Sequence, residues 1–179
     1  MSLYWIENPN SFRLAIAARP KGGDWLQDEL HRLQNSGVQI LVSTLTQSEI
    51  KELGLTQEQE ECRVCGIQYL NFPIEDRSVP EGLLQFKAFV DQVAALVKEG
   101  NSVAIHCRAG IGRSSFMACS VLVRIGFRCP QAWLMVQQAR GCSVPDTEEQ
   151  KEFVEILAKA KSPKTALRHA LRRICPVKR

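Results

Sequence analysis

The sequence predicts an α/β fold in which helices flank a central, mostly parallel β-sheet. Short apolar segments, typical of buried strands, alternate along the chain with longer amphipathic segments that are typical of helices. The 179 residues, 45% hydrophobic and 23% charged, are also enough to form a core without disulfide bonds or metal ions. Ligands in such folds bind beyond the C-terminal ends of strands, so the loops that follow strands are where a site is expected.

The first elements are predicted from apolar periodicity and helix-capping residues. The segment "FRLAIAARP" predicts a short strand that ends at Pro20. Asp24 is expected to cap the next helix, and Gly37 to end it. The predicted apolar stripe of that helix consists of Trp25, Leu26, Leu30 and Leu33. "VQILVSTL" then predicts a buried strand, and "SEIKELG" and "TQEQEECRVCG" predict two short, mostly exposed helices.

The second half continues the alternation. "IQYLNFPI" predicts a strand that ends at Pro73, before the loop "EDRSVP". Pro80 is expected to open a long helix, followed by the short strand "SVAI" and the helix "RSSFMACSVLVRIG", which is apolar nearly all round and therefore buried. Pro130 is expected to start the next helix, and "TEEQKEFVEILAKA" predicts an amphipathic last one. The inward face predicted for the last helix consists of Phe153, Ile156, Leu157 and Ala160.

Charge divides the chain into two parts. Residues 159–179 hold eight of the 23 basic residues and none of the 19 acidic ones. We therefore expect a single domain over residues 1–161 and a basic helix or tail over residues 162–179. A terminal helix packed on the body is the favoured interpretation of this tail, over one that meets a membrane surface, an acidic partner or nucleic acid. No nucleic-acid partner is expected.

The cysteines and the absence of a targeting signal favour a reducing compartment. No segment is typical of a signal peptide, and no apolar stretch is long enough for a membrane span. The seven cysteines are odd in number and irregularly spaced, so we expect free thiols and a cytoplasmic location. The pair Cys62-x-x-Cys65 lacks a second pair at metal-binding spacing, so no metal site is predicted.

The stretch "VAIHCRAGIGRSSFMACSVLV" predicts a strand, a glycine-bearing loop and a buried helix. Free N–H groups at the helix N-terminus and the flexible glycines allow the backbone of residues 108–113 to form an anion cradle. Arg113 is placed to give two hydrogen bonds to the same anion. The positive field favours the thiolate form of Cys107, which makes it a candidate nucleophile. Ser114 is expected to donate to the sulfur, and His106 to orient the loop.

The alternative for this stretch is a buried cysteine in an ordinary turn between strand and helix. A phosphate loop of the Walker type is disfavoured because the loop contains no lysine. "HCRAGIGRSS" resembles the H-C-x-x-G-x-x-R-S/T signature of the protein tyrosine phosphatase superfamily. The order and spacing of "GIQYLNFPIEDRSVP" and "VPDTEEQKEFV" are similar to its dual-specificity branch, over roughly residues 35–157, and resemble the cyclin-dependent-kinase-associated type within it.

The resemblance implies a cysteine-dependent protein phosphatase that works through a phosphocysteine intermediate, without a metal or an organic cofactor. It implies that Cys107 is the nucleophile, that Arg113 binds phosphate and stabilises the transition state, and that Ser114 helps the thiolate leave. The catalytic domain would be residues 1–161. The residues expected to bind a phosphate or sulfate-like anion are Arg108, Ala109, Gly110, Ile111, Gly112 and Arg113.

A general acid is needed because an alkoxide or phenoxide leaves poorly unless it is protonated. The loop "PIEDRSVP" offers Glu75 and Asp76, and the P-I-x-D pattern of the family implies Asp76, which would then serve as base for the water of the second step. In the tyrosine-specific branch, a Gln-Thr-x-x-Gln segment helps position that water. Here Asp146 replaces the first Gln, which leaves its role in doubt, and Gln150 keeps the second position, with helix capping or a surface position as the alternative.

The resemblance also implies phosphorylated proteins as substrates. The chain's two tyrosines, Tyr4 and Tyr69, do not match the tyrosine that deepens the pocket of tyrosine-specific enzymes, so a shallow pocket that accepts phosphotyrosine, phosphoserine and phosphothreonine is expected. Arg77 and Arg108 flank the expected pocket and would either favour acidic substrates or be solvated. Two alternatives remain: a phosphatase of a non-protein ester, such as a phosphoinositide, an RNA 5′-phosphate or a small molecule, and a binding module without turnover.

Overall fold

The computed structural model describes residues 1–160, and the predicted basic segment 162–179 lies outside the described residues. These residues form five strands and seven α-helices. In chain order they are β1 (Leu3–Trp5), β2 (Leu14–Ala18), α1 (Leu26–Asn35), β3 (Ile40–Ser43), α2 (Gln47–Glu52), α3 (Glu58–Val64), β4 (Gln68–Asn71), α4 (Leu83–Lys98), β5 (Val103–Cys107), α5 (Arg113–Ile125), α6 (Cys129–Arg140) and α7 (Glu148–Lys159).

The strands form one sheet in the order β1-β2-β5-β3-β4. β5 pairs in parallel with both β2 and β3, and its last residue, Cys107, lies opposite Ala18. β4 pairs in parallel with β3, whereas β1 pairs antiparallel with β2. The predicted α/β class with a mostly parallel sheet is thus confirmed, and β1 is an edge strand that the apolar pattern did not predict.

Both faces of the sheet are covered, which explains the continuous apolar runs of its inner strands. Side chains alternate between the two faces along each strand. On β5, Val103 and Ile105 belong to one hydrophobic cluster together with residues of α4, α5, α6 and α7, whereas Ala104 belongs to a second cluster with residues of α1, α2 and α3. The loop after β5 therefore emerges from a strand that is fixed on both sides.

Helix α5 is the most deeply buried helix of the described chain, as its apolar sequence predicts. Phe116 of α5 stacks on Phe86 of α4, with ring centroids 5.1 Å apart. Phe153 of α7 meets both rings edge-on, at 5.5 and 5.7 Å. Such aromatic contacts bury a large apolar area, and they hold the start of α5, where the candidate site lies, in a fixed position.

Several predicted details of the helices are wrong. Trp25 and Ile156, placed in apolar stripes, have 61% and 52% of their surface exposed. Asp24 does not cap α1 but lies in a 3₁₀ turn before it, and α4 begins at Leu83 rather than at Pro80. The exposure of α2 and α3, in contrast, is as predicted: most of their residues are exposed, although each helix buries one glutamate. Within residues 1–160, no helix has the length and apolar character needed to cross a membrane.

Candidate active site

The loop between β5 and α5 curls around the sulfur of Cys107. The backbone N–H of Gly110 donates to Sγ at 3.2 Å, and the Ser114 hydroxyl lies 3.3 Å from the same atom. Gly110 has a φ of 71°, and a Cβ placed on it would lie 2.6 Å from the backbone nitrogen of Ala18 in β2. Only glycine fits here, because both the backbone conformation and the neighbouring strand exclude a side chain. The thiol is buried under donors, as an anion cradle requires.

Arg113, the first residue of α5, is 1% exposed and is held by Glu49 of α2. Its Nη1 and Nη2 atoms lie 2.7 and 2.8 Å from the two carboxylate oxygens of Glu49, and Nη1 also donates to the carbonyl of Ile74 at 2.9 Å. A bidentate pair of this kind fixes both the position and the plane of the guanidinium group. The arginine is therefore oriented by the protein before any ligand arrives.

Glu49 is in turn held by its own helix start. Thr46 and Glu49 form a capping box in which each side chain accepts from the other residue's backbone N–H. Burial alone would raise the pKa of Glu49, but the hydrogen bonds from Arg113 and Thr46 outweigh it, and its pKa lies below the ordinary value. Glu49 therefore remains ionised and paired with Arg113 at neutral pH.

The loop after β4 brings Asp76 to the same arginine. Asp76 Oδ1 lies 3.1 Å from Nη2 of Arg113, and its side chain is 66% exposed. Glu75, the other candidate acid, is exposed, and no contact joins it to Arg113 within the described chain. The next residue, Arg77, has a φ of 57°, and the N–H of Ser78 donates back to the carbonyl of Glu75 at 3.1 Å. Of the two acids, Asp76 is thus the one at the pocket.

The residues around the start of α7 meet both loops. Gln150 is buried, and its Nε2 donates to the carbonyl of Ser78 in the loop that carries Asp76, at 3.0 Å. The carboxylate of Asp146 lies against Gly112, where a Cβ on the glycine would stand 2.7 Å from Cγ. Both residues of the Asp-Thr-x-x-Gln segment therefore belong to the surroundings of the site.

Two arginines, Arg140 and Arg108, hold the outer side of the Cys107 loop. Arg140, at the end of α6, donates through Nε to the carbonyl of Gly110 at 2.6 Å and lies over the ring of Tyr4 at 4.3 Å. Its Nη2 also reaches the carbonyl of Ala109 at 3.4 Å. Arg140 thus binds these carbonyls while the N–H of Gly110 donates to the Cys107 sulfur. Arg108 pairs with Glu52 of α2, and Ile111 packs against the larger hydrophobic cluster.

His106 lies on the other face of the sheet from the Cys107 thiol. Its Nε2 is 3.2 Å from the carboxylate of Glu58, and the Tyr69 hydroxyl donates to the same carboxylate at 3.3 Å. The histidine ring therefore faces α3 and β4, not the loop that it was expected to orient. Its backbone carbonyl is what stands near the site: it accepts from the N–H and the hydroxyl of Thr44, at 3.0 and 3.1 Å.

The cysteine pair Cys62 and Cys65 lies on α3 and just after it, away from the loop. Both thiols are buried, and burial raises the pKa of each above its ordinary value. Within residues 1–160, no group of three or more histidine, cysteine, aspartate or glutamate side chains is arranged to hold a metal ion. The two cysteines are thus part of the hydrophobic cluster formed with α1, α2 and α3.

Sequence reasoning missed Glu49 and Arg140. The Thr-x-x-Glu spacing of Thr46 and Glu49 was visible and indicates a helix start, but nothing in it indicates an arginine partner 64 positions later. Nothing in the sequence around Arg140 indicates a role at the site; its place before Gly141 indicates only the end of a helix. Glu49 and Arg140 both contact residues that are far away along the chain, and a single sequence does not reveal such pairs.

Known proteins resemble this chain in sequence and in fold. The family model described as "Polymorphic toxin system, DSP-PTPase phosphatase" matches residues 15–127. The 197R protein of Invertebrate iridescent virus 6, named as a tyrosine phosphatase, is 25% identical over 157 residues, which cover 86% of this chain and 56% of the relative. Tyrosine-protein phosphatase CDC14 of Saccharomyces cerevisiae is 36% identical over 58 residues, 32% of this chain and 10% of the relative.

The chain thus spans little more than half, or less, of the length of these curated relatives. Solved structures match along more of their length. The kinase associated phosphatase KAP superposes with a TM-score of 0.78 at 19% identity, covering 90% of this chain and 98% of that one. Tk-PTP in its active form gives 0.72 at 25% identity, covering 89% and 98%. PTPMT1 in complex with PI(5)P gives 0.69 at 19% identity, covering 88% and 94%.

Proposed function

The chain belongs to the dual-specificity branch of the protein tyrosine phosphatase superfamily, and from that premise we propose that it hydrolyses phosphorylated protein side chains through a phosphocysteine intermediate. The observation that supports this most is the convergence of three groups on one loop. The Cys107 sulfur accepts from Gly110, Arg113 is held rigid by Glu49, and Asp76 lies beside that arginine.

The first step transfers the phosphoryl group to sulfur. Cys107 attacks phosphorus while the N–H groups of residues 108–113 and the guanidinium of Arg113 stabilise the charge on the phosphoryl oxygens. Asp76 gives its proton to the departing oxygen of the substrate. The bond between phosphorus and the substrate oxygen breaks as the phosphorus–sulfur bond forms. In the second step water attacks phosphorus, Asp76, now ionised, takes the proton of that water, and the phosphorus–sulfur bond breaks while Ser114 stabilises the leaving thiolate.

Hydrolysis of a generic aryl phosphate tests this function. The parent protein is expected to turn over in the presence of a chelator, because no step of the proposed reaction uses a metal. Cys107→Ser is expected to be inactive, and Asp76→Asn to be slowed by about 10²-fold or more and to lose the basic limb of the pH–rate profile. Activity abolished by the chelator, or retained in Cys107→Ser, would contradict the proposal.

We propose phosphotyrosine together with phosphoserine and phosphothreonine as substrates, since neither tyrosine of the chain lines the pocket. Tyr4 packs against Arg140, and Tyr69 donates to Glu58 on the far face of the sheet. Without a tyrosine at its edge, the pocket is expected to admit the shorter side chains as well. Comparable turnover of matched phosphotyrosine and phosphothreonine peptides is expected, and strict selectivity for phosphotyrosine would count against it.

A non-protein phosphate ester is the second candidate, because PTPMT1 is described in complex with PI(5)P. One contact argues against a second phosphate beside the pocket: Arg108, the loop's other cation, is already paired with Glu52. The same assay, run on phosphopeptides beside a phosphoinositide and an RNA 5′-phosphate, separates the two classes of substrate. We expect the phosphopeptides to be hydrolysed with the higher kcat/KM.

A further inference from the structure

The guanidinium of Arg140, at the end of α6, binds two consecutive carbonyls of the loop after Cys107. Its Nε atom donates to the Gly110 oxygen at 2.6 Å, and its Nη2 atom donates to the Ala109 oxygen at 3.4 Å. The Arg140 side chain is half-buried, and among residues 1–160 no carboxylate pairs with it. Its charge is therefore directed at the loop rather than neutralised by an acidic side chain.

The ring of Tyr4 supports the same guanidinium from β1. The Cζ atom of Arg140 lies 4.3 Å from the ring centroid, a distance at which the planar cation stacks on the aromatic face. Tyr4 is itself fixed by the sheet, because β1 pairs antiparallel with β2 and places Tyr4 opposite Ile16. The edge strand β1 is thus connected to the Cys107 loop through two side chains.

The contacts of Arg140 determine which way the loop's N–H groups point, since the C=O and N–H bonds of a trans peptide have opposite directions. The peptide before Gly110 shows both ends: its oxygen accepts from Arg140, and its N–H donates to the Cys107 sulfur. The peptide after Gly110 is also trans and gives its oxygen to Arg140, so the N–H of Ile111 points away from the guanidinium. Within residues 1–160 no protein atom accepts from that N–H, which leaves it for a phosphoryl oxygen.

Gly110 needs such an anchor because glycine has more conformational freedom than any other residue. Its φ of 71° and its missing side chain leave the following peptide free to adopt the opposite orientation. In that orientation the peptide would present its oxygen, and not the N–H of Ile111, to a negatively charged phosphoryl group. Within the described chain, Arg140 is the residue that binds the Gly110 oxygen and keeps the orientation that favours an anion.

We propose that Arg140 and Tyr4 are positioning residues of the active site, which orient the Gly110–Ile111 peptide so that its N–H binds the phosphoryl group. The inference rests on the function proposed above. Neither residue touches the reacting atoms, and both act through the loop. The charge of Arg140 also polarises the peptides whose oxygens it binds, and a polarised peptide is a stronger donor at its N–H end.

The affinity for inorganic phosphate, together with kcat/KM for an aryl phosphate, tests this role. Arg140→Gln is expected to raise the Kd for phosphate by about tenfold and to lower kcat/KM by about tenfold or more, because one aligned donor is lost. Arg140→Lys is expected to lose nearly as much. It keeps the charge, but an ammonium group lacks the planar fork that reaches two carbonyls and stacks on the ring.

Two substitutions of Tyr4 test the contribution of the ring. Tyr4→Leu removes the aromatic face and is expected to raise the phosphate Kd by about two- to fivefold, as the loss of one cation–π contact does. Tyr4→Phe restores the parental Kd, because the face of the ring is kept and only the hydroxyl is lost. Combined with Arg140→Gln, the Tyr4→Leu substitution is expected to have no additional effect, since the ring acts through the guanidinium.

Arg13→Gln is the matched control, since a second cation–π pair involves the same strand. Arg13 lies over the ring of Trp5 at 4.2 Å and donates to the carbonyl of Ser36 at 3.4 Å. It precedes β2, at the end of the sheet opposite to the Cys107 loop. Its loss is expected to change the phosphate Kd and kcat/KM by less than about twofold, even where urea unfolding shows a lowered stability.

The outcomes separate this inference from the function on which it rests. An Arg140→Lys variant with the parental Kd overturns the inference, since it indicates attraction by charge alone. A loss of affinity in Arg13→Gln as large as in Arg140→Gln also overturns it, since it indicates a general loss of stability. Additive effects of Tyr4→Leu and Arg140→Gln overturn the role of the ring. A parent that binds phosphate without Cys107-dependent turnover overturns the proposed function, and the phosphate affinities still decide the role of Arg140.

Discussion

The guanidinium of Arg113 is oriented before a substrate binds, and Glu49 is the residue that orients it. The pair is buried, bidentate and supported by the capping box at the start of α2. A buried arginine without its carboxylate partner would be both unpaired and free to rotate. The same contact therefore contributes to stability and to the geometry of phosphate binding.

Replacing this carboxylate tests both contributions. In Glu49→Gln, the free energy of unfolding is expected to fall by about 3 kcal/mol, and kcat/KM by about tenfold or more, because the buried guanidinium loses its counter-charge. Urea unfolding and aryl phosphate hydrolysis measure the two effects. Glu60→Gln, which removes an exposed carboxylate that is paired with Arg63, is expected to leave both unchanged. A variant with parental stability and activity would contradict the assignment of Glu49.

The pH dependence of the same variant has a definite sign. Because the pKa of Glu49 is lowered in the folded protein, its contribution is present above the ordinary titration range of glutamate and is lost as the pH falls through it. The stability difference between parent and Glu49→Gln should therefore shrink on acidification. A difference that stays constant from neutral to acidic pH would contradict this cause.

At the level of elements, the loop is shaped by its neighbours as well as by its own glycines. Gly110 presses against the end of β2, Arg140 of α6 holds the loop's outward carbonyls, and α2 supplies the partners of both flanking arginines. Three elements, β2, α6 and α2, thus support the anion cradle at the C-terminal edge of the sheet, where ligands are expected in this fold class.

Two glycine substitutions separate backbone strain from this packing. Gly110 and Gly66 share a φ of 71°, but a Cβ on Gly66 meets nothing within 4 Å. Both Gly110→Ala and Gly66→Ala place an alanine in a left-handed conformation, which lowers the stability of each variant by about 1 kcal/mol. Only Gly110→Ala also collides with β2, so it is expected to lose activity and the binding of inorganic phosphate, whereas Gly66→Ala keeps both. Equal effects on phosphate binding would contradict the packing argument.

For the molecule as a whole, the sequence predicts features formed by neighbouring residues, but not contacts between residues that are far apart along the chain. The order of strands and helices follows from apolar periodicity, and the Cys107–Arg113 loop could be identified because its parts are contiguous. The pairing of Arg113 with Glu49 and of Arg140 with Gly110 depends on the tertiary fold, and no local pattern encodes it. Trp25 was misplaced for a related reason: apolar spacing indicates a stripe but not which of its residues the neighbouring elements cover.

In the proposed reaction, the phosphoryl group passes through the sulfur of Cys107. Acid quenching of the protein during turnover of an aryl phosphate, followed by mass spectrometry of its peptides, tests it most directly. We predict one added phosphoryl group on the peptide that contains Cys107, absent in Cys107→Ser. A phosphoryl group on another residue, or hydrolysis by Cys107→Ser at the parental rate, would contradict transfer through this sulfur.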